Sequence, residues 1–284
     1  MMMCRILKII SISPEVKTMS ELFDQMMSSC YELIATARSM MESCRQKRNK
    51  RKSDSRLVIS MFLNRSIELF ESFLVLLKNN RLADSAILLR SFWEMGINTS
   101  YIFSDIKLKE INALKFLINE EKEKTNLLRR NLEEFKKYDC NIEKRLKELE
   151  QQKIVMVDFF NKKYKTSDLK WPKIIDRAEK TKDRVVKKAY DQIYCYLCSI
   201  EHHDMSFGRN YIDEKTDEPL EHIKTPPLLR PELNIIMARS ILLVIMKTFD
   251  KEYCLKWEGV LKKLEVKHGK EYEEMKQKDE KASS

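Results

Sequence analysis

The residues best suited to chemistry are polar side chains set within apolar helical segments. Arg90 and Glu94 lie one turn apart in residues 83–97, a segment that is apolar on nearly every side. A helix of that kind belongs in a core, where charged groups cost several kcal/mol unless they are paired and hydrogen-bonded. We therefore expect Arg90 and Glu94 to find partners elsewhere in the fold, and residues 190–203 are the expected partner segment.

His202 lies near the end of a helix predicted over residues 182–205 and is of a type that titrates near neutral pH. Beside Arg90 it could act at a phosphate group, where the imidazole would move a proton and the guanidinium would stabilise the charge on pentavalent phosphorus. Glu94 would orient one of the two. The candidate catalytic residues are Arg90, Glu94, Tyr194, His202, His203 and Arg209. The alternative is structural, with Arg90, Glu94, Tyr194 and His202 forming a buried network that fixes the packing.

A run of basic residues follows the first predicted helix. Its members could hold RNA phosphates, or the run could be a solvated helix end. No aromatic residue is interleaved with it, so base stacking is not expected there. The candidate nucleic-acid-binding residues are Arg45, Lys47, Arg48, Lys50, Arg51 and Lys52.

The composition predicts an all-α protein. The 284 residues include only 4 Gly and 6 Pro, and apolar residues recur at steps of three and four. The 54 Lys and Arg exceed the 44 Asp and Glu, giving a formal net charge of +10 that favours an anionic partner. No Gly-rich phosphate loop, nucleophile elbow or paired-carboxylate metal motif occurs, which disfavours an NTPase, an esterase or a two-metal nuclease.

The periodicity divides the chain into a helical bundle with an inserted arm. Residues 1–105 are predicted to supply N-terminal bundle helices, and residues 166–270 to complete the same bundle. Residues 106–165 carry two heptad-like apolar seams and are predicted to form a long antiparallel coiled-coil hairpin. We expect this hairpin to mediate homo-oligomer formation or to dock a partner protein, although folding back on its own bundle is the alternative. Residues 271–284 are predicted to be a flexible tail.

The cysteines predict free thiols in a reducing, cytoplasmic setting. Seven Cys at irregular spacings do not suggest a disulfide framework, and no apolar run approaches the length of a membrane span. Cys195, Cys198 and His202 have the spacing of half a zinc site, but helical packing alone gives such spacing and no second ligand pair is evident. We expect no metal and no cofactor.

Three short motifs carry a resemblance to a known family. Residues 88–94 contain Arg-x3-Glu, residues 170–172 contain Trp-Pro, and residues 190–202 contain Tyr-x3-Tyr and end in His. In order and spacing they resemble a bacterial family of helical domains of unknown function, over about residues 15–250. Cys198 stands where such domains more usually have Ser, and the hairpin is an elaboration.

The helical layout of that family looks like the HEPN group of bundles, which often occur in toxin and phage-defence systems and include metal-independent ribonucleases. The resemblance implies a defence or toxin-type effector. HEPN ribonucleases typically carry Arg four to six residues before His on one helix, and no His in this sequence has such an Arg. A ribonuclease would therefore have to assemble Arg90 and His202 from different helices. The alternative is a non-enzymatic helical interaction protein.

Overall fold

Helices are the only regular structure among the described residues, which confirms the all-α prediction. The computed structural model describes residues 20–46, 53–181, 186, 190, 194, 197, 198 and 230–282. The helices are α1 (Ser20–Gln46), α2 (Asp54–Lys78), α3 (Leu82–Ile102), α4 (Lys109–Arg130), α5 (Leu132–Lys136), α6 (Ile142–Tyr164), α7 (Ile174–Lys180), α8 (Pro231–Tyr253) and α9 (Glu258–Ala282).

The chain divides into two compact units. One contains the described parts of Met1–Arg51, Ile59–Tyr101 and Ile174–Ser284, and the other comprises Lys52–Val58 and Ile102–Lys173. In the described residues, no helix combines the length and apolar character that a bilayer crossing requires.

In the first unit, α8 packs against both α1 and α9. Pro231 opens α8 at a position where its missing N–H costs nothing, and the helix is buried on most of its sides. Glu271 of α9 accepts a hydrogen bond from Ser29 of α1 and forms a fully buried ion pair with Arg239 of α8. These polar contacts tie the three helices together within an otherwise apolar core.

The structure differs from the predicted flexible tail at residues 271–284. Helix α9 continues to Ala282, and Glu271, Tyr272 and Met275 are buried. Arg230 also forms a bidentate ion pair with Asp279, at 2.9 Å for both contacts. The prediction was wrong because most of the described Lys and Glu residues in this segment lie on the side of the helix that is at least partly exposed. The few residues that face the core stand between them in the sequence and do not form an evident apolar pattern.

Helices α2 and α3 form an antiparallel pair joined by a tight turn. Asn80 adopts the left-handed conformation in that turn, with a φ of 56°, as expected of a residue type that tolerates it. Phe70 of α2 stacks on Phe92 of α3, with ring centroids 5.8 Å apart. On its other side α3 approaches α8, because Gly96 has no side chain to collide with Ile241.

In the second unit, α4 and α6 run antiparallel and α5 lies between them in sequence. Leu114 and Ile118 of α4 pack with Phe160 of α6, whereas Arg129 forms an ion pair with Glu150 further along the two helices. The antiparallel helix pair is therefore observed, and its packing as a supercoiled coiled coil stays a prediction.

The start of α2 is held by a carboxylate from α4. The hydroxyls of Ser53 and Ser55 and the backbone N–H of Asp54 all donate to Glu110. Burial alone would raise the pKa of Glu110, but these hydrogen bonds favour the charged form and lower it.

Candidate functional site

The candidate site lies on the one partly accessible stripe of α3. Most of this helix is buried, and Phe92 and Trp93 are almost completely so. Ile87, Arg90 and Glu94 are partly exposed and follow one another at helical spacing. Arg90 and Glu94 are therefore anchored in a well-packed helix, and both residues are partly exposed.

Arg90 contacts two side chains of the expected partner segment. Its Nη2 donates to the hydroxyl of Tyr194 at 3.1 Å, and its Nε lies 3.2 Å from Sγ of Cys198. The guanidinium carbon also lies 5.3 Å from the centroid of the Tyr194 ring. A planar guanidinium can donate hydrogen bonds from its edge and also lie against an aromatic ring. A lysine ammonium cannot make this combination of contacts.

Tyr194 keeps its proton throughout the physiological pH range. Its pKa is raised, first by burial and then by the negative charge of Glu94, while the charge of Arg90 acts in the opposite direction. The hydroxyl accepts from Arg90 and still carries a proton of its own, so it can donate to a second group, and the Cys198 sulfur is one such group within reach. The ring stacks on Tyr190 with centroids 5.1 Å apart, which fixes its orientation.

The backbone at Tyr190 and Tyr194 is π-helical. This conformation is rare, and it is found mostly as single wide turns that are frequent at functional sites. Here it occurs at Tyr194, which contacts Arg90, and at Tyr190, which stacks on Tyr194.

Glu94 forms its ion pair with a residue that the sequence did not single out. Its Oε1 lies 3.8 Å from Nη2 of Arg177, whose side chain is only 7% exposed, whereas that of Glu94 is 39% exposed. Arg177 belongs to the short helix α7 and is surrounded in sequence by charged residues. No sequence signal marks it as buried.

The structure brings three of the six candidate catalytic residues together, namely Arg90, Glu94 and Tyr194. The other three, His202, His203 and Arg209, lie outside the described residues. Of the candidate nucleic-acid-binding residues, only Arg45 is described: it is exposed near the end of α1 and pairs with Glu42 at 3.4 Å. The remaining basic residues, Lys47, Arg48, Lys50, Arg51 and Lys52, also lie outside the described residues.

The described residues contain no group of three or more His, Cys, Asp or Glu side chains arranged to hold a metal ion. Cys198 is within hydrogen-bond distance of Arg90. Cys195 and His202, which share its half-zinc spacing, lie outside the described residues.

Comparison with known proteins gives a family and no characterised relative. The family of unknown function DUF5677 matches residues 56–219, which is more than half of the 284-residue chain. The matched region contains the Arg-x3-Glu, Trp-Pro and Tyr-x3-Tyr motifs. No curated protein and no solved structure gives a significant match. The chain is therefore a member of the family of unknown function DUF5677.

Proposed function

We propose that this protein is a toxin-type or phage-defence effector that cleaves RNA without a metal ion, with Arg90 at the centre of its active site. The observation that carries the proposal is the 3.1 Å contact between the guanidinium of Arg90, a partly exposed residue of α3, and the hydroxyl of Tyr194, which is buried. The two groups offer a fixed positive charge and a transferable proton at one place. Metal independence and the defence setting come from the HEPN-like resemblance.

The proposed reaction is an attack of the RNA 2′-hydroxyl on the adjacent phosphorus. His202 takes the proton of the 2′-hydroxyl, O2′ bonds to phosphorus, and the bond from phosphorus to O5′ breaks. Tyr194 or His203 supplies the proton that O5′ acquires as it leaves. The products are a 2′,3′-cyclic phosphate and a 5′-hydroxyl.

Arg90 serves in this scheme by stabilising the extra negative charge on the pentavalent phosphorane. Glu94 and Arg177 act as positioning residues, because their ion pair lies on the same stripe one turn from Arg90. Arg209 and the basic run of Arg45, Lys47, Arg48, Lys50, Arg51 and Lys52 provide contacts for the RNA backbone.

The test is cleavage of a 5′-labelled single-stranded RNA by the purified full chain in the presence of EDTA. We expect cleavage that leaves 2′,3′-cyclic phosphate ends and falls at least about a hundredfold in Arg90→Ala and His202→Ala. Arg65→Ala changes an exposed arginine and is the matched control for Arg90→Ala. Circular dichroism and thermal unfolding establish that each variant folds.

The same variants are tested by induction in a bacterial host. Growth arrest with new RNA fragments, lost in a folded His202→Ala protein, supports the effector function. Intact RNA in vitro and in the host, together with normal growth, contradicts it.

A second candidate is a non-enzymatic interaction protein in which Arg90, Glu94, Tyr194 and His202 fix the packing and the hairpin docks a homo-oligomer partner or another protein. It is favoured by the half-exposed side chains of Ile154, Val155 and Phe159 on α6. In this case Arg90→Ala lowers the free energy of unfolding and no RNA is cleaved, whereas polar substitutions at Val155 and Phe159 abolish partner binding.

A further inference from the structure

The inner side and both flanks of helix α9 make contacts with other helices of the same chain. Leu261, Leu264 and Met275 are buried on its inner side. On one flank Lys267 pairs with Glu32 of α1 at 2.5 Å, and on the other Glu265 pairs with Lys247 of α8 at 2.8 Å. The charges beside the packing surface therefore already have partners.

The outer side of α9 is different. Lys262 and Lys263 lie near its beginning and Glu273 and Glu274 lie further along, and all four are exposed. Within the part of the chain that the structure describes, none of the four forms an ion pair. The face therefore presents a basic block and an acidic block, whose members are separated along the helix by about 16 Å at 1.5 Å per residue.

If a second α9 runs antiparallel to the first, its acidic block faces the basic block of the first helix, and its basic block faces the acidic block. We propose that the outer face of α9 pairs with the outer face of α9 in a second copy of this chain, with the two helices antiparallel and the two-fold axis level with His268. At 100° per residue, Lys262 and Glu273 lie on one side of the face, and Lys263 and Glu274 lie on the other. The two-fold axis then places Lys262 opposite Glu273 of the second copy and Lys263 opposite Glu274 of the second copy. The same symmetry generates each of these pairs a second time.

The middle of this face suits the same arrangement. Val266 is 52% exposed there, and the two-fold places it opposite Lys270 of the second copy. The methylene stem of a lysine can cover an apolar side chain while its ammonium stays in water. With little apolar area and several exposed ion pairs, the dimer is weak and dissociates as salt is added.

The separation of the charges selects a second copy over a nucleic acid as the occupant. An RNA backbone is negative along its whole length, so Lys262 and Lys263 would attract it while Glu273 and Glu274 would repel it. A second copy satisfies both blocks at once, and an isologous contact of this kind closes at two subunits.

The experiment measures the mass of the full chain by analytical ultracentrifugation over a range of protein and salt concentrations. We expect a monomer–dimer equilibrium whose dissociation constant rises with salt. The variants Lys262→Glu/Lys263→Glu and Glu273→Lys/Glu274→Lys each place like charges opposite one another, and each raises the dissociation constant at least about tenfold.

An equal mixture of these two double variants provides the decisive measurement. In the mixed dimer every opposed position again carries opposite charges, so a heterodimer forms at concentrations where each variant alone is monomeric. The control Glu133→Lys/Glu134→Lys makes the same change in net charge as Glu273→Lys/Glu274→Lys, on exposed residues of α5, and leaves the equilibrium unchanged. Because all the substituted residues are exposed, circular dichroism should show folded proteins throughout.

A chain that stays monomeric at all concentrations overturns the proposal, as does a dimer that survives both double variants. Failure of the mixture to form a heterodimer overturns it too, because blocks of opposite charge that face one another in the proposed pair must restore the association. A dimer lost only in the α5 control would assign self-association to the hairpin and not to α9.

Discussion

The Arg90 guanidinium donates a 3.1 Å hydrogen bond to the hydroxyl of Tyr194, a residue 104 positions further along the chain. The same guanidinium also contacts Cys198 and lies over the tyrosine ring. Together these contacts offset the desolvation free energy of a charged group in an apolar helix. The hydrogen bond links two motifs that lie in the region shared with the family. The pair therefore joins two helical segments that are far apart in the sequence.

Arg90→Ala and Tyr194→Phe should destabilise the protein in a coupled way. A hydrogen bond to a charged group contributes about 1.5–3 kcal/mol, so each substitution should lower the free energy of unfolding by about 1–3 kcal/mol. The double variant should lose less than the sum of the two by at least about 0.5 kcal/mol. Urea unfolding of the four proteins measures this coupling, and strict additivity would mean that the contact contributes nothing in solution.

Arg90→Lys separates the roles of charge and geometry. The ammonium keeps the positive charge but cannot contact Tyr194 and Cys198 together in the plane of a guanidinium. We expect it to be nearly as destabilising as Arg90→Ala. Full recovery of stability in Arg90→Lys would show that the charge alone matters at this position.

The sequence predicts those parts of the fold and the site that depend on local chemistry. Ser53 and Asp54 are of types that cap the start of a helix, Asn79 and Asn80 are of a type that tolerates the conformation ending one, and α2 spans Asp54–Lys78 between them. The need of Arg90 for a polar partner follows from the apolar surroundings of the arginine, and the structure provides that partner in Tyr194, within the expected residues 190–203. In both cases the neighbouring residues in the sequence indicate the local requirement.

The sequence does not predict contacts between charges that lie far apart and look solvent-exposed. Arg177 has Asp176, Glu179 and Lys180 as neighbours, yet it is buried against Glu94. Glu271 lies in a stretch of Lys and Glu, yet it pairs with Arg239 in the core. Only the packing of α9 on α8 and α1 decides which of its many charges point inward.

Removing one partner of the ion pair between Arg239 and Glu271 should lower the free energy of unfolding strongly, whereas replacing both partners by apolar residues should lower it much less. Both side chains are almost fully buried, and Ser29 also donates to Glu271 at 2.6 Å. Glu271→Gln leaves the Arg239 charge in the core, and we expect the free energy of unfolding to fall by about 3–5 kcal/mol.

The combination Arg239→Met/Glu271→Leu removes both charges and should be markedly more stable than Glu271→Gln. Glu265→Gln removes a carboxylate from an exposed pair on the same helix and should change the free energy of unfolding by no more than about 1 kcal/mol. Equal effects of Glu265→Gln and Glu271→Gln in denaturant titrations would contradict this account.

His268 should make the protein less stable as the pH falls. Burial, followed by the charge of Arg239, lowers the pKa of His268 from 6.5 to about 3, and its Nε2 lies 3.1 Å from the hydroxyl of Ser240. Below pH 6.5 the unfolded chain binds a proton that the folded protein excludes. The free energy of unfolding therefore falls as the pH drops from 6.5 towards 3.

His268→Gln has no proton to bind in this range and can still hydrogen-bond through its amide. Its stability should therefore decline less than that of the wild type between pH 7 and pH 4, values that bracket most of the titration. Thermal or urea unfolding across this range measures the difference between the two curves. Parallel curves would show that His268 does not control the acid sensitivity.

Gly96→Ala should destabilise the junction of α3 and α8. An added Cβ would lie 3.0 Å from Cγ2 of Ile241, in a core where neither helix can move without disturbing other buried side chains. Overpacking of this kind costs about 1–3 kcal/mol and exceeds the gain in helix propensity of at most about 1 kcal/mol. Gly269→Ala is the matched control, because an added Cβ there meets nothing within 4 Å and the change should raise stability. Opposite signs for the two substitutions in urea unfolding would establish that α3 approaches α8 at Gly96, whereas stabilisation by both would contradict that close contact.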